Sequence, residues 1–260
     1  MYKLSLWLLF GLVLLVFVLP YFYVLSPYEL HSSKILLSPS IHNIFGTDRL
    51  GRDIFARVLQ GGQVSLIIGF VSATISIFVG LIVGITAGYF KGYIDKITTI
   101  VIDLFLTFPT FFLLLAIISY IDASIVVLII VLSVTGWMGT GRLIRSLSYE
   151  ITDKPYIDIL KVAKVNRFKI LFKYYTPLIS PILLVSWTFG VAGAILAESS
   201  LSFLGLGINP PQMSWGSLIS EGRAILDIAW WVSFFPGFFI FIVTFCLFQI
   251  LDKFQQNIQK

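Results

Sequence analysis

The stretch VSLIIGFVSATISIFVGLIVGITAGYF, residues 64–90, runs for 27 residues without an Asp, Glu, Lys or Arg. About 20 mostly apolar residues are enough to cross the hydrocarbon core of a bilayer as a helix. Residues 64–90 therefore read as a membrane span. Gly80, Gly84 and Gly88 stand four apart within it. That spacing puts them on one helix face, where another helix can approach closely, and we read them as a packing surface.

Similar segments lie on either side. Residues 4–25 are apolar for too long to be a secretory h-region, which is about 7–15 residues, and no small-residue cleavage site follows them. They read as a retained first span, with Pro20 bending its last turn. The apolar run from Ile97 to Met138 is too long for one span at about 1.5 Å rise per residue. It is interrupted at Ser119–Ser124, so two spans are expected, over 97–119 and 123–140. Residues 177–197 and 230–251 complete a set of about six. Composition agrees: 58% of the chain is hydrophobic and 12% charged, against about 45–50% and about 25% in soluble domains. Mean hydropathy is +0.96. We expect an all-α membrane protein, one transmembrane domain over residues 1–260, with no separate soluble domain. Cys246 stands alone in an apolar run and reads as a small packed hydrophobe.

The basic residues give an orientation. With six spans, one side carries Lys3, Lys91, Lys96, Arg142, Arg145, Lys154, Lys161, Lys164, Arg167, Lys169, Lys173, Lys253 and Lys260, thirteen in all. The other carries five: Lys34, Arg49, Arg52, Arg57 and Arg223. The positive-inside rule then puts both termini and a long loop, residues 141–176, in the cytoplasm. Topology and contact with anionic membrane lipid account for the net charge of +5, so no nucleic-acid partner is needed.

Within that loop, Pro155 suits the first turn of a helix and Asp153 suits its cap or its positive end. Tyr156, Ile159, Leu160 and Ala163 fall at helical spacing, with Lys161 and Lys164 opposite. Such a short amphipathic helix either lies on the lipid surface or fills a groove of a partner protein.

The loop also resembles a known family. Lys154 to Pro177 is similar to the cytoplasmic signature loop in permease subunits of binding-protein-dependent ABC importers, with Asp158, Ile159 and Leu160 at its Glu-Ala-Ala positions. Lys164 stands where the family has a Gly, so the helix should run on or turn less sharply. Two further stretches resemble the shorter, second permease type of the peptide and nickel systems. They are Phe45–Arg57 (FGTDRLGRDIFAR) and Ala197–Pro211 (AESSLSFLGLGINPP), the latter followed by Ser214-Trp215-Gly216 and Glu221-Gly222-Arg223. Asp103 with Phe108-Pro109 resembles the third span of that type.

The resemblance implies a type I ABC importer permease fold in the cytoplasmic (inner) membrane of a bacterium. It also implies four partners: a second related permease, two cytoplasmic ATPase subunits and an extracytoplasmic solute-binding protein. The ATPase-coupling helix would be Tyr156, Ile157, Asp158, Ile159, Leu160, Ala163 and Lys164. The cargo would be di- or oligopeptides, or nickel and other metal chelates.

Other chemistry is sparse. There is no Gly-Lys-Ser/Thr to hold nucleotide phosphates, nor a nucleophile–base pair, so neither catalytic nor cofactor residues are assigned. No resident metal is assigned; His31 and His42 form a weak pair at best. Asp103 and Glu198 lie in or beside spans, where carboxylates are costly. Asp103 reads either as a helix–helix hydrogen-bonding group or as part of the pathway, and Glu198 either as an interfacial carboxylate or as part of the pathway. Asp48–Arg52 and Asp53–Arg57 have the i,i+4 spacing of helix pairs, so 48–60 reads as an interfacial helix on the outer face. A secondary transporter or channel is the rival class; it would be expected to show inverted repeats around a midplane charge.

Overall fold

The computed structural model describes residues 2–258; Met1, Gln259 and Lys260 lie outside the described residues. Within them the chain is helical, with one isolated antiparallel bridge between Thr47 and Asp53. The helices are α1 (Tyr2–Val18), α2 (Ile54–Phe90), α3 (Gly92–Thr107), α4 (Thr110–Ile118) and α5 (Ile125–Thr152), then α6 (Pro155–Val162), α7 (Arg167–Ile170), α8 (Thr176–Phe203), α9 (Trp215–Arg223) and α10 (Trp231–Ile258). A π-helical turn over Leu171–Tyr175 joins α7 to α8 in one continuous segment. Five segments are long and apolar enough to cross a membrane, or six if α3 and α4 form one broken span.

Local sequence explains the ends. Asp53 is extended, and its carboxylate accepts from the Ala56 N–H at 2.8 Å, capping α2. Ser124 caps α5 in the same way through the Val127 N–H. Between α3 and α4, Phe108 is extended, as the residue before a proline tends to be, and the axis bends by 81° there.

α2 is the central rod. It packs along much of its length against α5 and also against α8, while α10 packs on α1, α8 and α9. In lipid there is little hydrophobic drive between helices, so close packing and buried polar contacts carry the association. The glycine stripe supplies the first: a Cβ on Gly84 would lie 2.8 Å from the Ile144 Cβ, and one on Gly88 would lie 2.5 Å from the Ser148 Cβ. Ser76 supplies the second, donating to the Ser133 carbonyl at 3.2 Å. Three apolar clusters result. One, with Trp215 and Trp231, joins α1, α2, α8, α9 and α10. A second, with Ile68, Leu128 and Leu201, joins α2, α4, α5 and α8. The third, with Ile85, Ile144, Ile157, Tyr175 and Ile179, closes the Phe90 end of the rod.

Several expected boundaries move. The helix expected over 64–90 begins at Ile54, and 48–53 is a loop, so the separate interfacial helix over 48–60 is not formed. The span expected over 97–119 is two helices with a sharp bend. The segment expected over 123–140 continues as helix to Thr152, so the first third of the expected loop 141–176 is helical. The helices expected over 177–197 and 230–251 extend to Phe203 and Ile258. Hydropathy reports only the apolar part of a helix; capped polar turns beyond it are invisible to that signal. At Pro20 the α-helix has already ended, and Leu19–Tyr21 form a tight 3-10 turn rather than a kinked last turn.

Candidate functional site

A cleft of about 540 Å³ opens between α2, α4, α5 and α8, edged by Leu106 of α3 and by Leu251 and Gln255 of α10. Its wall includes Ser72, Ser76, Thr110, Thr135, Thr140 and Ser186, together with small residues and aliphatic side chains. No ionisable side chain lines it among the described residues. Several hydroxyls are engaged on their own helix, Thr135 with the Val131 carbonyl at 2.9 Å for example. The wall is therefore uncharged and weakly polar. It offers a bound solute hydrogen-bonding groups but no fixed charge.

At the Asp53 end of the bundle the polar groups are locked together. Glu198 is fully buried on α8. Its carboxylate accepts from Ser202 one turn on at 2.7 Å and from Ser65 on α2 at 3.1 Å. Ser65 in turn accepts from the Trp215 N–H at 3.1 Å, and the buried Trp215 indole donates to the Val58 carbonyl at 2.9 Å. One carboxylate thus ties α2, α8 and the start of α9. It is not at an interface with water, and it does not line the cleft.

Beside it lies an ionic knot. Buried Asp48 accepts from Arg52 Nε at 2.7 Å and from buried Arg57 Nη1 at 2.5 Å. Arg57 also grips Glu221 on α9 through both terminal nitrogens, at 2.7 and 2.9 Å, the fork geometry that makes arginine–carboxylate pairs strong. Of the two expected helix pairs, Asp48–Arg52 forms, but in a loop. Asp53–Arg57 does not form as a side-chain pair, because Asp53 is the cap of α2 and also accepts from Asn43 at 2.8 Å and Tyr23 at 3.3 Å. Burial and the neighbouring Asp53 carboxylate push the Tyr23 phenol above its ordinary range. The Arg57–Glu221 pair was not anticipated; the only hint was that both residues sit in the two motif-bearing stretches. His31 lies 3.7 Å from Glu29. No group of three or more metal-ligating side chains comes together among the described residues.

At the Phe90 end, α5 stops at Asp153, which caps its C-terminus and reaches Lys91 Nζ at 2.5 Å instead of capping α6. Thr152 Oγ1 lies within donating distance of the Ser148 and Gly88 carbonyls, at 2.6 and 2.9 Å, and the Tyr175 hydroxyl, 2.8 Å away, can donate to it. α6 is fastened underneath by Ile157, which is fully buried, with Leu160 half-buried beside it. Of the expected apolar face, Tyr156, Ile159 and Ala163 are exposed and Leu160 is half-buried; Ile157, outside that set, is the residue sunk into the bundle. Ile159 is 66% exposed and Val162 83% exposed, and with Tyr156 they form an apolar outer face. Asp158 is exposed and pairs with Lys161 at 3.0 Å.

α6 ends despite the missing glycine. Lys164 takes a φ of +53° and the chain closes a Schellman turn: Lys164 N–H donates to the Lys161 carbonyl and Val165 N–H to the Leu160 carbonyl, at 3.0 and 3.1 Å. Asp103 lies on α3, half-exposed, paired with Arg142 on α5; Asp95 pairs with Arg145 a little further along. Asp103 does not line the cleft either.

Comparison with known proteins bears on this architecture. A family model described as "Binding-protein-dependent transport system inner membrane component" matches residues 80–260. The chain is similar to the oligopeptide transport system permease protein OppC of Haemophilus influenzae, 31% identical over 250 residues, covering 95% of this chain and 80% of that protein. It is similar to the dipeptide transport system permease protein DppC of Bacillus subtilis, 34% identical over 235 residues, covering 89% and 73%. Among solved structures it resembles a chain of the inward-facing MetNI methionine ABC transporter. The TM-score is 0.59 at 15% identity, over 76% of this chain and 96% of that one, a likeness of fold.

Proposed function

The chain belongs to the family of binding-protein-dependent transport system inner membrane components, and from that premise we propose that it is a permease subunit of an ATP-driven importer for peptides. The similar proteins named as oligopeptide and dipeptide permeases support peptides over nickel or metal chelates as cargo. The chain forms half of a translocation pathway and works with a second related permease, two cytoplasmic ATPase subunits and an extracytoplasmic binding protein. ATP is hydrolysed by the ATPases. The bundle is one membrane domain with both termini in the cytoplasm, consistent with the basic residues at the Phe90 end.

The observation that carries the mechanism is the two-sided character of α6. Ile157 is sunk into the bundle while Tyr156, Ile159 and Val162 point away from it. A helix anchored on one face and apolar on the other is suited to a groove in an ATPase. Lys91–Asp153 and the Thr152–Tyr175 contact splice it to α2, α5 and α8. Movement of the ATPases on ATP binding then moves those helices as bodies and changes which end of the cleft is open. Asp103 acts as a tether between α3 and α5, and Glu198 as the buried hub of the opposite end.

The test is the paired substitution Ile159→Asp with Val162→Asp in the full assembly. Both side chains are exposed, so the bundle keeps its thermal stability. ATPase co-purification and ATP-dependent peptide uptake should both fall by about ten-fold or more, as for loss of an interface anchor. Uptake at the wild-type rate would overturn the coupling role of α6.

A further inference from the structure

A second groove lies at the Phe90 end, between the foot of α2 and the turn that follows α6. Lys161, Lys164 and Arg167 line it, with Tyr89, Phe90 and Phe168. Its volume is about 700 Å³. Three cations face one space, and no carboxylate lines it. Asp158, which does not line the groove, engages Lys161 at 3.0 Å. Lys161 also sits 5.9 Å from the Tyr89 ring centre and Arg167 5.7 Å from that of Phe90. Lys164 has no acidic partner among the described residues.

The backbone adds an independent observation. Lys164 is held at a φ of +53°, a conformation that suits glycine and is strained for a side chain. The turn needs no ammonium there. The side chain that occupies this position lines the groove.

The surroundings of the groove suit a membrane surface. It lies where two apolar segments end, α2 at Phe90 and the segment Arg167–Phe203 at its start. Phe168 and Phe172 are exposed, and so are Lys169 and Lys173 beside them. Alternating aromatic and basic residues at a span end suit the headgroup layer.

We propose that this groove binds the phosphate of an anionic phospholipid of the inner leaflet, with Lys164 and Arg167 as its principal cations. The proposal rests on the orientation given under Proposed function, with the Phe90 end in the cytoplasm. A lipid held there touches α2 and the α6–α7 turn together, and so links the lipid composition of the leaflet to the stiffness of the coupling segment.

The experiment uses the full assembly with its partner permease and ATPases, in nanodiscs of phosphatidylcholine with or without phosphatidylglycerol. Lipid retained on the complex is read by native mass spectrometry, and ATP hydrolysis and peptide uptake are read in parallel. The variant is Arg167→Gln, outside the coupling residues, with Lys34→Gln on the opposite side as a control. The wild type should retain phosphatidylglycerol in preference to phosphatidylcholine. The Arg167→Gln variant should lose about five-fold of that preference, since each basic residue near a lipid surface is worth about that in affinity, while its ATPases still co-purify.

Retention unchanged in Arg167→Gln would overturn the site. If millimolar inorganic phosphate displaced phosphatidylglycerol from the complex, the groove would belong to a soluble anion and the lipid assignment would fall. If Arg167→Gln shed its ATPases, the groove would be part of the protein interface, which also overturns the proposal. Failure of the coupling reading is separate: it shows as wild-type uptake in the Ile159→Asp, Val162→Asp variant, whatever lipid is bound.

Discussion

Lys164 concentrates a measurable strain in one residue. An L side chain in the left-handed region costs about 1 kcal/mol or more relative to glycine. Lys164→Gly should therefore raise the unfolding temperature of the detergent-solubilised subunit by about 2–4 °C, even as it removes a cation from the groove; a lower midpoint would mean the side chain holds the turn. Arg57 is the opposite case. It is buried against Asp48 and Glu221, and removing one partner of a buried ion pair costs about 3–5 kcal/mol. Arg57→Gln should lower thermal stability by that order, and Glu221→Gln by less, because the Glu221 side chain is 37% exposed. Neither feature could be read from local spacing. Arg57 meets Glu221 across 164 positions of sequence, and its i,i+4 neighbour Asp53 is already used as a helix cap. Glu198 was conspicuous as an acid beside a span, with Ser202 one turn on, but Ser65 comes from α2, which only the fold brings to it.

At the scale of the helix, packing and electrostatics can be separated on the α2–α5 and α3–α5 contacts. Gly88→Leu drives a side chain into Ser148 and the Arg145 carbonyl, and overpacking of this kind costs about 1–3 kcal/mol or more; a drop in folded yield and in unfolding temperature is the expected reading. In double-mutant cycles, Asp95–Arg145, with side chains 14% and 25% exposed, should show a larger coupling than Asp103–Arg142, at 55% and 52%. For the exposed pair about 0.2–1 kcal/mol is the ordinary range. Equal couplings would mean that burial does not set the difference. The glycine spacing was legible because a repeat of four says where a neighbour approaches. The buried anchor of α6, Ile157, was not. Apolar residues at 156, 157, 159, 160 and 162 give a short helix two apolar sides, and sequence spacing does not say which one the bundle takes. Helix ends were misplaced wherever a polar turn prolonged an apolar run, most clearly at Ile54, where a side-chain cap rather than hydropathy sets the start.

For the whole molecule, the distribution of Lys and Arg gives an expected sidedness, while the number of spans follows from a bulk quantity, long apolar runs, which is why it was readable early. The cleft and the two polar assemblies at its ends depend on contacts between distant segments and were not. Sidedness is open to direct measurement, because Cys246 is buried and contributes little background. A cysteine introduced at Val162 should react with an impermeant maleimide only in inside-out vesicles, and one at Ile41 only from the outside of intact cells; the reverse pattern would invert the topology and remove α6 from the reach of any ATPase. One further consequence comes from the length of α2. Its 37 residues make a strut of about 55 Å, well beyond the roughly 30 Å of hydrocarbon. The strut is pinned by the Asp53 cap at one tip and by Lys91 at the other. Under the proposed function, linkage makes the two tips reciprocal: whatever factor equilibrium nucleotide binding by the ATPases imposes on capture of a loaded receptor at the far surface, receptor capture returns to nucleotide affinity.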